Sequence, residues 1–192
     1  MHSLAIFASG TGTNAHQIIH HFRHHSLVNI SLIVCNKPGA GVLNIAANEN
    51  IDTLLIEKDK FFNGNGYVDE LKKKGISFIV LAGFLWKIPG LLIKAYPGNI
   101  INIHPALLPK YGGKGMFGMH VHKAALDAGE SQSGITIHYV DEIYDHGKII
   151  FQATCVIDAA DTPETLAGKV HRLEHDHYPK IIESLLYNNR SC

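Results

Sequence analysis

Asn102 and His104 stand one residue apart at the end of an apolar run, in Asn102-Ile103-His104-Pro105-Ala106-Leu107-Leu108-Pro109. Side chains along a strand alternate faces, so an amide and an imidazole point the same way. The Asn amide offers N–H donors to a developing oxyanion, and the imidazole exchanges a proton near neutral pH. Pro105 and Pro109 end the strand and hold the following residues extended. A carboxylate beside His104 would orient the ring and favour its protonated form. The candidate is Asp145, in the loop Asp141-Glu142-Ile143-Tyr144-Asp145-His146-Gly147, and His138 just before that loop is the candidate second imidazole. A lone histidine here would read as a hydrogen-bonded core residue. Its companion Asn102 and the following Pro105 favour chemistry instead.

A second feature is Ser9-Gly10-Thr11-Gly12-Thr13-Asn14, between a first strand and a first helix. The glycines allow a tight turn and close backbone approach, and the free N–H groups of the helix start suit an anion such as phosphate. Gly10, Gly12 and Ala15 also satisfy a loose dinucleotide fingerprint. That fingerprint requires an acid at the end of the second strand to hold a ribose. The second strand ends Val34-Cys35-Asn36-Lys37, without an acid. The reading is therefore a phosphate or mononucleotide site and no NAD; a ligand-free helix cap is the bland alternative. A second match, Gly113-Lys114-Gly115-Met116-Phe117-Gly118, follows a Pro-Lys-Tyr loop instead of a strand. It reads as a flexible lid or hairpin over residues 112–118.

The remaining histidines carry less. His20, His21, His24 and His25 crowd the end of the first helix, where solvation and the helix dipole explain them. His171 and His175 have metal-ligand spacing on a helix, yet there is no His-Glu-x-x-His motif and no cysteine cluster, so no metal is expected. Glu174 lies between them and reads equally as a surface charge or a substrate contact.

The elements that must position these residues follow from apolar periodicity. Strands are expected at Leu4–Ala8, Ile30–Cys35, Thr53–Ile56, Phe78–Leu81, Asn99–Ile103, Gly134–Val140 and Lys148–Ile157. Helices are expected at Asn14–His24, Gly41–Asn50, Tyr67–Lys74, Ile88–Ala95 and His120–Ala128. A last helix is capped by Thr162, with Pro163 at its first position, and runs to about Leu186. This order predicts an α/β, Rossmann-like, doubly wound and mostly parallel sheet. The last two strands are too close in sequence for a crossover and should pair antiparallel.

The chain has 192 residues and equal numbers of basic and acidic side chains, 17 of each. That length suits a single domain (1–192), with a phosphate-binding half at 1–100 and a catalytic, ligand-binding half at 101–192. Neutral charge argues against a nucleic-acid partner, and no run is long and apolar enough to span a membrane. The N-terminus has no signal-peptide shape, and Cys35, Cys155 and Cys192 fit a reducing cytoplasm better than a disulfide framework. A homodimer is left open.

Four segments occur here in a recognisable order: Ser9 to Asn14; Val80-Leu81-Ala82-Gly83-Phe84; Asn102 through Leu107-Leu108-Pro109-Lys110-Tyr111; and Glu174-His175-x-x-Tyr178-Pro179. Together they resemble the folate-dependent formyltransferases. The N-terminal loop and Glu174 narrow the resemblance to the phosphoribosylglycinamide formyltransferase family, over nearly the whole chain. The resemblance implies formyl transfer from 10-formyltetrahydrofolate, as co-substrate, to the amine of 5'-phosphoribosylglycinamide in purine biosynthesis. It implies that Gly12, Thr13 and Asn14 hold the substrate phosphate, and that Glu174 and His171 contact that substrate. Leu85, Trp86, Lys87, Ile88, Asn102, Asp141 and Asp145 would line the folate site, with Asn102, His104 and Asp145 catalytic. The chain departs from the family pattern at Asn63-Gly64-Asn65, where an Arg is common, at the pair Trp86-Lys87, and in the longer loop 112–118. Methionyl-tRNA formyltransferase, formyltetrahydrofolate hydrolase and sugar-nucleotide amine formyltransferases share parts of the pattern. The first two usually carry extra domains, and the third is the closest alternative.

Overall fold

The computed structural model describes residues 1–188, so Cys192 lies outside the described residues. The chain forms two compact units, Met1–Asn102 and Ile103–Cys192.

The first unit alternates strand and helix: β1 (His2–Ala8), α1 (Thr13–Phe22), β2 (Val28–Cys35), α2 (Gly41–Asn48), β3 (Asp52–Leu55), α3 (Lys58–Asn63), α4 (Val68–Lys73), β4 (Phe78–Leu81) and α5 (Gly90–Ala95). β5 (Ile100–His104) follows and runs through the boundary between the units. Its strands pair in parallel in the order β3-β2-β1-β4-β5. Strands covered on both faces need apolar residues at every position. β4 and the inner five residues of β1, Leu4 to Ala8, are accordingly buried throughout. α1 turns Ala15, Ile18, Ile19 and Phe22 inward, as its periodicity predicts, and leaves His20 and His21 exposed in its last turn.

The second unit holds α6 (Met119–Asp127), β6 (Gln132–Tyr139), β7 (Ile149–Val156) and α7 (Pro163–Asn188). β6 and β7 pair antiparallel, as their short connection requires. α7 opens with a reciprocal cap: the Thr165 amide donates to Thr162 Oγ1 at 3.3 Å, and the Thr162 amide donates to Thr165 Oγ1 at 2.9 Å. Two orphan donors of the helix start are satisfied this way. The seven strands form one mixed sheet in the order β3-β2-β1-β4-β5-β6-β7, so the Rossmann-like class holds.

Three differences from the sequence reading have local causes. The six-residue helix α3 is not among the expected elements, because Lys58-Asp59-Lys60-Phe61-Phe62-Asn63 is too short to show a period. α5 begins at Gly90 rather than Ile88, with Pro89 extended at its N-cap. β5 extends to His104, which places that residue inside the strand instead of just after it. Among the described residues no helix is long and apolar enough to cross a membrane.

Candidate active site

β5 supplies the first two site residues. Its pattern is buried at Ile100, Ile101, Ile103 and His104, with Asn102 half-buried. Asn102 is in register with Leu81 of β4, and His104 lies two residues on, so both side chains stand on one face of the strand.

His104 is 4% exposed. Its Nε2 lies 2.7 Å from the Tyr111 carbonyl oxygen, and its Nδ1 lies 3.6 Å from Asp145 Oδ2. Asp145 is reached because β6 and β7 are joined by a short loop that returns over the end of β6, where Asp145 adopts a left-handed φ of 53°. The other carboxylate oxygen of Asp145 is 3.6 Å from His138 Nε2. His138 in turn directs Nδ1 at the Tyr139 carbonyl, 2.8 Å away. The Gly113 amide donates to Asp145 Oδ2 at 2.9 Å. One carboxylate is therefore held between two buried imidazoles and a backbone amide.

Electrostatics correct one expectation. Asp145 does favour the protonated form of His104, and the Tyr111 carbonyl adds to this, but burial is the largest influence and the His104 pKa is lowered overall from its ordinary 6.5. The nearby His138 works in the same downward direction. His104 is thus mainly neutral at pH 7. Burial acts to raise the Asp145 carboxyl, yet His138, His104 and the Gly113 amide outweigh it, so its pKa is lowered and it stays ionised.

The glycine loop lies in the first unit. Gly12 is the N-cap of α1 in a left-handed conformation (φ 83°), and no side chain caps the helix. Gly12 itself has no side chain to offer the first amides of α1. A Cβ at Gly12 would fall 2.8 Å from the Val42 side chain, so glycine is required there by packing as well as by φ. A Cβ at Gly10 would meet nothing within 4 Å. Gly113–Gly118 lies in irregular turns that end at the N-cap of α6.

The segment Leu85–Ile88 sits in an aromatic cluster that sequence reading missed along with α3. Trp86 packs against Phe61 at 5.7 Å, Phe62 at 5.5 Å and Phe84 at 6.3 Å between ring centroids. Leu85 is half exposed and its amide donates to Ser9 Oγ, whereas Ile88 is buried. Asp141 is tied within its own loop, accepting from the Ile143 amide at 2.8 Å and pairing with His146 at 3.0 Å. On α7, His171 is exposed and stacks parallel to His175, and Glu174 is 5% exposed. Glu174 is therefore a buried acid, not a surface charge. The backbone groups of Tyr111 and Gly113 are further site members, and no sequence signal marks a carbonyl or an amide. Among the described residues no group of three His, Cys, Asp or Glu side chains is placed to hold a metal.

Comparison with known proteins meets this geometry. The formyl transferase family model matches residues 2–182. The chain is 42% identical to phosphoribosylglycinamide formyltransferase, chloroplastic, of Arabidopsis thaliana over 95% of this chain and 64% of that one. It is 38% identical to phosphoribosylglycinamide formyltransferase of Bacillus subtilis over 99% of this chain and 98% of that one. It thus spans under two thirds of the plant relative's length and nearly all of the bacterial one's. The solved glycinamide ribonucleotide transformylase 1 of Geobacillus kaustophilus superposes with a TM-score of 0.88 at 38% identity, over 97% of this chain and 99% of that one. Phosphoribosylglycinamide formyltransferase of Bacillus halodurans gives 0.87 at 39% identity, over 96% and 95%. An Asn-x-His strand end backed by an aspartate, within a chain matched nearly end to end, makes this protein a member of the formyl transferase family, among relatives named phosphoribosylglycinamide formyltransferase.

Proposed function

We propose that the chain transfers the formyl group of 10-formyltetrahydrofolate to the amine of 5'-phosphoribosylglycinamide, a step of purine biosynthesis. The observation that carries this reading is the buried His104–Asp145 pair, 3.6 Å apart, with Asn102 on the same strand face. The substrate amine attacks the formyl carbon and a C–N bond forms. The carbonyl oxygen becomes an oxyanion, which the Asn102 amide stabilises as a preorganised donor. His104, neutral in the resting site, takes the proton released from the amine. The imidazolium is then held between the Tyr111 carbonyl and the Asp145 carboxylate. Separations of this length tighten on formation of the reacting complex. The bond from the formyl carbon to N10 of the folate breaks, and the leaving nitrogen takes a proton from the imidazolium, restoring neutral His104.

In this reading Gly12, Thr13 and Asn14 bind the phosphate through the uncapped start of α1. Glu174 and His171 contact the ribonucleotide. Leu85, Trp86, Lys87 and Ile88, with Asp141 and Asp145, serve the folate, and the half-buried Trp86 with the exposed Phe62 beside it suits a flat heteroaromatic donor. Loop 112–118 is a lid coupled to chemistry, because its Gly113 amide holds Asp145. The partners are two small molecules, with no nucleic acid or membrane, in the cytoplasm. The test is a spectrophotometric formyl-transfer assay with phosphoribosylglycinamide against a panel of other amines, sugar-nucleotide amines included. Faster turnover of any other amine would displace this substrate.

A further inference from the structure

Tyr111, Gly112 and Gly113 lie across the pair formed by His104 and Asp145. The Tyr111 carbonyl meets His104 Nε2 at 2.7 Å, and the Gly113 amide donates to Asp145 Oδ2 at 2.9 Å. Gly112 between them has no room for a side chain. A Cβ there would fall 2.5 Å from the Leu108 side chain and 3.3 Å from that of Asp145. In this approach Tyr111 takes a left-handed φ of 57°. That conformation is costly for a bulky residue and persists only where the surroundings hold it.

The hold comes from the other end of the Tyr111 side chain. Its hydroxyl donates to Glu130 Oε1 at 2.9 Å, and Lys110 Nζ pairs with the same oxygen at 2.7 Å. Glu130 stands between α6 and β6, where its own amide donates to the Ala125 carbonyl at 3.2 Å. Lys110 and the Tyr111 hydroxyl keep the Glu130 carboxyl below its ordinary range. Burial and the Glu130 carboxylate push the phenol up. At neutral pH an O–H therefore meets a carboxylate, a charge-assisted bond stronger than one between neutral groups.

A carbonyl oxygen only accepts, so Nε2 carries the ring hydrogen of neutral His104. The hydrogen bond made by one ring nitrogen sets the state of the other. Nδ1 is then the lone-pair nitrogen, and it faces Asp145 across 3.6 Å, too far for a hydrogen bond. Without the Tyr111 carbonyl the preference reverses. The carboxylate would draw the hydrogen to Nδ1 and leave the lone pair on Nε2. Two acceptors compete for one hydrogen, and the placing of Tyr111 decides between them.

We infer that Glu130 is a positioning residue for the proposed transfer: by holding the Tyr111 hydroxyl it fixes the Tyr111 carbonyl on His104 Nε2, and so sets which imidazole nitrogen takes the proton. The role in transfer rests on the reaction assigned above, whereas the tautomer is a property of the ligand-free protein. Glu130 touches neither substrate nor reacting atoms in this account and acts only through Tyr111.

The test reads the His104 tautomer from long-range proton–nitrogen correlation of the imidazole rings in ligand-free protein at pH 8, with His104 assigned by its loss in His104→Ala. Wild type should show the Nε2–H form. Tyr111→Phe, which deletes only the hydroxyl, and Glu130→Ala should both shift the ring toward the Nδ1–H form. Glu130→Gln still offers an acceptor oxygen and should keep most of the Nε2–H form. In steady-state formyl transfer the first two variants should lose about three- to tenfold in kcat, the scale of one hydrogen bond, with KM within about twofold. A wild-type Nδ1–H form would overturn the inference, as would a folded Glu130→Ala variant with the wild-type tautomer and kcat. If Glu130→Ala does not fold, Tyr111→Phe decides on the same two readouts. Failure of the wild-type protein to formylate phosphoribosylglycinamide would remove the substrate reading, and the tautomer measurement would still confirm or overturn the hold of Glu130 on His104.

Discussion

Replacing Asp145 by Asn tests the catalytic arrangement with little change of shape. Asparagine tolerates the left-handed φ of 53° found at this position, and its oxygen can still accept from the Gly113 amide. What changes is charge. Two unit charges 3.6 Å apart, the separation of His104 Nδ1 and Asp145 Oδ2, attract by about 4–5 kcal/mol at an effective dielectric near 20. His104 is mainly neutral before reaction, so this attraction is felt as the imidazolium forms, not in the resting enzyme. Part of it is offset by the amide that replaces the carboxylate. A loss of about 3–4 kcal/mol in the transition state corresponds to two to three orders of magnitude in kcat. Binding of both substrates should change far less. The sign of the pH effect is also fixed. Asp145 raises the His104 pKa against the dominant effect of burial, so removing it lowers that pKa further. If neutral His104 is the competent form, the acidic limb of the kcat profile moves to lower pH in Asp145→Asn. Steady-state kinetics from pH 5 to 9, with thermal unfolding as a fold control, would measure both. A folded variant with kcat within about threefold of wild type and an unmoved acidic limb would refute the proposed role of the carboxylate.

Asn102→Ala, which removes the oxyanion donor, and His104→Ala, which removes the proton acceptor, should each lower kcat by about two to three orders of magnitude, with substrate affinities retained in calorimetry. Gly12→Ala should lower the thermal midpoint, because its Cβ meets Val42 at 2.8 Å, whereas Gly10→Ala should leave the midpoint unchanged. That contrast makes Gly10 the cleaner site at which to crowd a bound phosphate and measure weaker ribonucleotide binding. Acid should destabilise the fold before the carboxylates titrate. With His122 near 4 in the native state against 6.5 unfolded, the native state binds fewer protons, so stability is complete above pH 6.5 and falls as pH drops toward 4. The loss from this residue is about 2 kcal/mol by pH 5. Urea unfolding at pH 7 and pH 5 should show a smaller acid loss in His122→Leu than in wild type, and equal losses would contradict this origin.

Much of the architecture was legible because one physical rule governs each long element. Unbroken apolar runs at 4–8, 32–35 and 78–81 require strands covered on both faces, and those strands pair in parallel. Alternation along β5 sufficed to put Asn102 and His104 on one face. The short connection between β6 and β7 required an antiparallel pair, and Thr162-Pro163 announced the start of α7. These are local properties, and a sequence carries them without knowledge of what lies opposite. Folding decided the rest. Whether His104 is charged depends on the balance between burial and the Asp145 carboxylate, two opposed effects, and the burial that prevails is a property of the folded site, where His104 is 4% exposed and 3.6 Å from Asp145. Nothing in residue types marks the Tyr111 carbonyl or the Gly113 amide as site members, because every residue has those groups and the fold alone aims them. α3 gathers Phe61 and Phe62 beside Trp86 through contacts across 24 or more positions, which no window of periodicity spans. For His122 the composition of α6 is silent. That its Nδ1 is buried without a partner is a property of the space around it, and space is what tertiary structure adds to sequence.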